Sequence, residues 1–154
     1  KRISDSFHLQ GHTWEMQLLN EEEGNWRNAH IVAANKLAML TSFRLPTLAI
    51  AIRKIDGMSV EEYFEGEWDE LDVQDRMDLE NMSKFSKKYF MAEHLMEFLS
   101  QRPPDAIEDL FLNGYDNLQQ REYEAQDTLK KSSGEGSEKE ESEIMIEPSP
   151  SGDE

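Results

Sequence analysis

The sequence predicts an α+β protein, mainly helical, with an N-terminal β-hairpin and one further short strand packed on about four helices and a disordered acidic C-terminal tail. Three observations carry that expectation. Two short alternating runs near the N-terminus flank a glycine turn. Apolar residues then recur at spacings of three and four over long stretches. Beyond Lys130 the composition changes abruptly to Ser, Gly and Glu. The domain organisation that follows is one globular domain over residues 1–130 and a tail over 131–154.

In chain order, residues 5–9 and 13–19 read as the hairpin, turning at Gln10-Gly11-His12, with Trp14, Met16 and Leu18 on one side. Asn20 suits a helix N-cap, and Glu21, Glu22 and Glu23 stand where the helix dipole favours negative charge. From there a helix is expected to about Leu40, with an apolar stripe of Trp26, Ala29 or His30, Ala33, Leu37 and Leu40. The next segment, Thr41 to Phe64, is the most apolar of the chain. Leu48, Ile50 and Ile52 alternate with Ala49 and Ala51, which suits a strand, with a short helix as the rival. Pro46 is compatible with either. Asp56-Gly57 reads as a turn, and Ser59 with Glu62 as a capping box opening a short helix that carries Tyr63 and Phe64.

An acidic connector from Glu65 to Asp72 includes Trp68 and lacks the ligand spacing of a calcium loop. Asp72, Asp75 and Asp78 fit the wet face of a helix. Residues 73–100 read as helical with a break near Ser83. The second half carries Met82, Phe85, Tyr89, Ala92, Met96 and Leu99 in a 3-4-3-4 rhythm, widened by Met91, Leu95 and Phe98. So wide an apolar face must be covered. Lys84, Lys87 and Lys88 gather rare positive charge at its start, as a solvated face or a contact to an acidic patch. Arg102-Pro103-Pro104 stops that helix. Asp105, with Glu108 three residues on, caps another that carries Ile107, Leu110, Phe111, Leu118, Ala125 and Leu129, with an irregularity at Asn113-Gly114. In the tail, Ile144-Met145-Ile146 interrupts the polar run, as an incidental cluster or a docking motif.

Composition narrows the function classes. The formal net charge is −17 over 154 residues, which argues against phosphate-backbone binding and predicts no nucleic-acid partner. The charge is not confined to the tail, since residues 1–130 are also net acidic. Absence of cysteine rules out disulfides, thiolate metal sites and a Cys nucleophile. No run of 18 apolar residues exists, so a soluble protein without a membrane partner is expected. His8, His12, His30 and His94 show no zincin spacing, and there is no Glu-x-x-His, phosphate loop or Gly-x-Ser-x-Gly elbow. His94 beside Glu93 and Glu97 reads as an ordinary surface group. The expectation is a protein that is not an enzyme and has no cofactor or metal.

Three stretches carry a resemblance: Thr13-Trp-Glu-Met-Gln-Leu-Leu-Asn-Glu-Glu-Glu23, Asn25-Trp-Arg-Asn28, and Ser42-Phe-Arg-Leu-Pro-Thr-Leu-Ala-Ile-Ala-Ile-Arg-Lys-Ile-Asp-Gly57. Over roughly residues 5–100 the chain resembles tail assembly chaperones and baseplate-hub assembly proteins of tailed bacteriophages. Such proteins open with a β-hairpin, continue with helices and end in a variable acidic tail. The resemblance implies a non-catalytic factor in the host cytoplasm or the virion tail, with tail and baseplate proteins as partners and self-association as an option. It implies contact elements at Leu45–Ile55 and Phe85–Leu99, through Leu45, Leu48, Ile50, Ile52, Phe85, Tyr89 and Met96, with Ile144 and Ile146 as a tail motif. The reading as core competes with contact for each of these. Some members of the group also make a longer form by ribosomal frameshifting, and Lys130-Lys131 would suit that position. A permanent structural subunit of the tail and an acidic DNA mimic are the alternatives.

Overall fold

The computed structural model describes residues 2–32 and 43–146, with side chains described through Ile31 and from Phe43 to Lys131. The hairpin forms as expected: β1 (Ser4–Leu9) pairs antiparallel with β2 (His12–Gln17), Phe7 opposite Trp14. Gln10 and Gly11 both take positive φ, 52° and 78°. That conformation matches the right-handed twist of the strands, and glycine adopts it without steric cost. Trp14 and Met16 are buried, and Trp14 donates its indole N–H to the Leu9 carbonyl at 2.8 Å.

Helix α1 (Glu21–Val32) follows Asn20. Of its expected stripe, Trp26 and His30 are half-buried and Ala29 is exposed, while Ala33, Leu37 and Leu40 lie outside the described residues. The apolar segment is where the strand expectation fails. Leu48, Ala49, Ile50 and Ala51 belong to α2 (Arg44–Ala51), and every residue from Pro46 to Ala51 is buried. A helix surrounded on all sides loses its polar face, so its large-small alternation carries no information about period. Pro46 sits in the first turn, where an amide is unpaired anyway.

The chain then turns into β3 (Ile52–Ile55) and, through Asp56-Gly57, β4 (Met58–Ser59). One four-stranded antiparallel sheet results, in the order β1-β2-β3-β4, so the segment supplies two strands instead of one. Glu15 pairs with Lys54 while Met16 pairs with Ile52, leaving Arg53 as an extra residue in β3. This bulge explains why Ile52 and Ile55, three apart, are both buried. Ser59 then forms the expected capping box with Glu62 at the head of α3 (Val60–Tyr63).

The connector folds into α4 (Glu65–Trp68), burying Trp68, whose indole N–H reaches the Glu61 carbonyl at 2.9 Å. Asp72 caps α5 (Val73–Asn81), and Ser83 caps α6 (Lys84–Ser100), placing the break where expected. The buried stripe of α6 is Met91, Ala92, Leu95 and Leu99. It is narrower than the sequence suggests. Phe85 is 56% exposed, and Tyr89, Met96 and Phe98 are half-buried, so they border the buried stripe without completing it.

Pro103, and not Asp105, is the cap residue of α7 (Pro104–Leu110), with Pro104 at its first position. The Asn113-Gly114 irregularity is a π-helical turn, Phe111–Tyr115. Gly114 lies against Met16, where a Cβ would come within 2.8 Å of its Cε, so the π turn brings backbone onto the sheet. Leu110, Phe111, Tyr115 and Leu118 complete the core, whereas Leu129 is exposed. Helix α8 (Asp116–Ile146) runs on past Lys130, whose tail composition predicts disorder. That composition argues only that the stretch cannot bury a core. Helix formation along the surface needs none where charges one turn apart pair, as Lys131 does with Asp127 at 3.4 Å. The chain divides into two compact units, one ending at Leu118 and one beginning at Gln119.

Candidate functional site

The binding residues proposed from sequence separate into three groups. Leu48, Ile50 and Ile52 are buried in the core. They hold α2 and β3 in place and are not available to a partner. Leu45 and Met96, by contrast, meet at the surface. They line one groove of about 590 Å³ with Pro46 and Ile107, flanked by Arg44 and Arg102. Phe85 and Tyr89 lie nearer the start of α6. Ile144 and Ile146 fall within the last turns of α8, where side chains are not described.

The apolar residues of the groove come from three helices. Leu45 and Pro46 open α2, Met96 lies near the end of α6, and Pro103-Pro104 turns the chain so that Ile107 faces back towards them. Its charged rim is held by the protein itself. Arg44 reaches Glu108 at 3.6 Å and its guanidinium lies 5.7 Å from the Phe111 ring centroid. Arg102 lies 4.8 Å from the Phe98 centroid. A guanidinium placed in this way covers apolar surface with its flat face.

No known protein family, curated protein or solved structure matches the chain. The site therefore rests on its own geometry.

The titratable groups that attract attention in the sequence are engaged inside the fold. His12 reaches Asp56 at 2.8 Å, and the Thr13 amide donates to the same carboxylate at 2.9 Å, tying the two β-turns together. The Thr13 amide first, and then His12, hold the Asp56 carboxyl below its ordinary range. His94, read from sequence as an ordinary surface group beside Glu93 and Glu97, instead reaches Glu67 at 2.9 Å. Its ring lies edge-on to Phe64 and Trp68, each 4.7 Å away.

The sequence reading missed the strongest polar feature. Glu23 is fully buried and takes three cations. Arg2 donates to its Oε1 at 2.7 Å, Arg53 to its Oε2 at 2.8 Å, and Lys88 to the same Oε2. Its Oε1 also accepts the Asn20 amide at 3.0 Å while the Glu23 amide donates to Asn20 Oδ1 at 2.7 Å. This reciprocal pairing is a capping box. Burial pushes the carboxyl up, but the hydrogen bonds from Arg53, Lys88 and Asn20 outweigh it and bring the pKa down to about 2. Nearby, burial first and then the Glu22 carboxylate push the Tyr89 hydroxyl up to about 12, so it donates to Glu22 at 3.1 Å.

Of the three lysines at the start of α6, Lys84 is exposed, as a solvated face would have it, while the other two are engaged by acidic groups of the fold. Lys88 is committed to Glu23, and Lys87 reaches Glu61 at 3.2 Å. The Asn20-x-x-Glu23 spacing is visible in the sequence and could have signalled the box. The cations, from positions 2, 53 and 88, could not be matched to it without the fold.

Proposed function

We propose that this chain is a non-catalytic protein-binding factor, and that its partners are components of a bacteriophage tail or baseplate during assembly. The observation that carries the binding reading is the groove in which Leu45 and Met96, from the two contact elements expected on the resemblance, come together. A groove of apolar floor and polar rim is the usual composition of a protein contact patch. The commitment of Glu23, His12 and His94 to internal partners supports a structural role for these groups. The phage assignment rests on the resemblance.

The test is affinity capture from phage-infected lysate with the whole chain as bait, read by mass spectrometry, alongside a Met96→Asp bait. Recovery of tail-tube, tape-measure or baseplate proteins by the first bait and their loss with the second is the expected result. Recovery of a basic host DNA-binding protein alone would sink this reading in favour of DNA mimicry. Presence of the chain in purified particles would make it a permanent subunit.

A further inference from the structure

Lys84, Lys87 and Lys88 are rare positive charges in a very acidic chain, and the groove makes no use of them. With Arg53 they line a second cavity, of about 230 Å³, whose floor is apolar and includes Ile52 and Met91. Four cations line this cavity against one lining carboxylate, Glu61, which is paired to Lys87. Behind Arg53 and Lys88, the single charge of Glu23 is shared with Arg2 as well. Among the described residues Lys84 has no ion-pair partner. The cavity is therefore a local site of excess positive charge.

We propose that this cavity receives an acidic side chain of a partner protein, its carboxylate meeting Lys84 and its aliphatic stem lying on the apolar floor. The proposal rests on the reading of the chain as a binding protein and specifies one chemistry that its partner must present. Small-molecule sites enclose roughly 300–1,000 Å³. This cavity is smaller and open at the surface, the size of a side chain. Phe85, next to Lys84 in sequence and more than half exposed, offers an apolar contact for a residue beside the acid. The net charge of the whole chain repels acidic partners in general, so the cavity rewards only the carboxylate that reaches it. Attraction at one point against repulsion elsewhere is a source of specificity.

The experiment is a ¹H–¹⁵N NMR titration of the full chain with the capped peptide acetyl-Leu-Glu-Leu-amide, its Gln counterpart and inorganic phosphate. Saturable shifts confined to the amides of Arg53, Glu61 and Lys84 to Met91 are expected, with a Kd of about 1 mM. The Gln peptide should bind about fivefold more weakly, as should Lys84→Ala and Lys84→Gln chains, a loss typical of one exposed charge contact. Lys84→Arg should restore binding. Equal binding of the two peptides, shifts elsewhere, or none at about ten times that concentration would overturn the proposal. So would phosphate binding as tightly as the Glu peptide, which would make this a free-anion site. If lysate capture still returns tail components while the Glu peptide shifts nothing here, this proposal falls and the binding function stands.

Discussion

Glu23 shows how far a single side chain can depart from what its neighbours in sequence suggest. Three glutamates in a row at a helix start read as a solvated, dipole-favoured cluster, and Glu21 and Glu22 are indeed exposed. The third is buried because its carboxylate has cations on two sides and an amide on a third. Its folded pKa of about 2 lies below the ordinary 4.5. The stabilisation is thus complete above about pH 4.5 and is lost as pH falls through about 2, and it amounts to about 3 kcal/mol. Urea unfolding at pH 7 and pH 3 should show the parent chain losing more stability than Glu23→Gln across that interval. At pH 7 the Glu23→Gln chain should itself be less stable by about 3–5 kcal/mol, because breaking a buried ion pair strands the opposite charges. Equal pH slopes for the two chains would remove Glu23 from this account.

Among the elements, those defined by local rules were legible. Both β-turns, the capping box at Ser59, the Ser83 break and the Asn113-Gly114 irregularity each follow from a few adjacent residues whose backbone requirements are specific. Elements defined by what surrounds them were not. Pro46–Ala51 is helical despite its alternation, and because it is buried throughout it has no polar face to reveal its period, while the buried face of α6 depends on where α2 lies. Gly57 adopts a φ of 84° with open space around its Cα, so Gly57→Ala should cost about 1–2 kcal/mol from backbone strain alone. Gly114→Ala differs in kind. Its methyl would press within 2.8 Å of Met16 Cε and 3.0 Å of Met16 Sδ, and Met16 has no exposed surface to retreat to. A loss of about 1–3 kcal/mol is expected in chemical denaturation. Combining it with Met16→Ala should recover part of that loss, as a shared contact predicts, whereas the Gly57 penalty should be unaffected by Met16.

For the molecule as a whole, the sequence supplied the fold class and half of the groove. Leu45 and Met96 were among the residues proposed from sequence, but so were Leu48, Ile50 and Ile52, which the fold buries. Periodicity reports that a residue is apolar on a face, and only the packing reports whether that face is inside. Leu45→Asp and Met96→Asp should each lower partner capture at least about tenfold, the loss of a well-placed contact. Their unfolding free energies in chemical denaturation should fall by no more than about 1 kcal/mol, because neither side chain is fully buried. Capture that survives both changes would place the partner elsewhere.

The convergence on Glu23 also bears on how the chain reaches this state. Its cations come from the chain start, the third strand and the sixth helix, so only the complete assembly brings all three to the carboxylate. A form with α1 docked but β3 or α6 absent would lack one of the hydrogen-bonded cations that offset the burial of this carboxylate, a less favourable arrangement. Half-formed structures are thereby penalised, and the unit ending at Leu118 should unfold in one all-or-none step. Tryptophan fluorescence, reporting the buried Trp14 and Trp68, and near-ultraviolet circular dichroism should trace the same denaturation curve in the parent chain. Glu23→Leu, which removes the charge, should let the two curves separate.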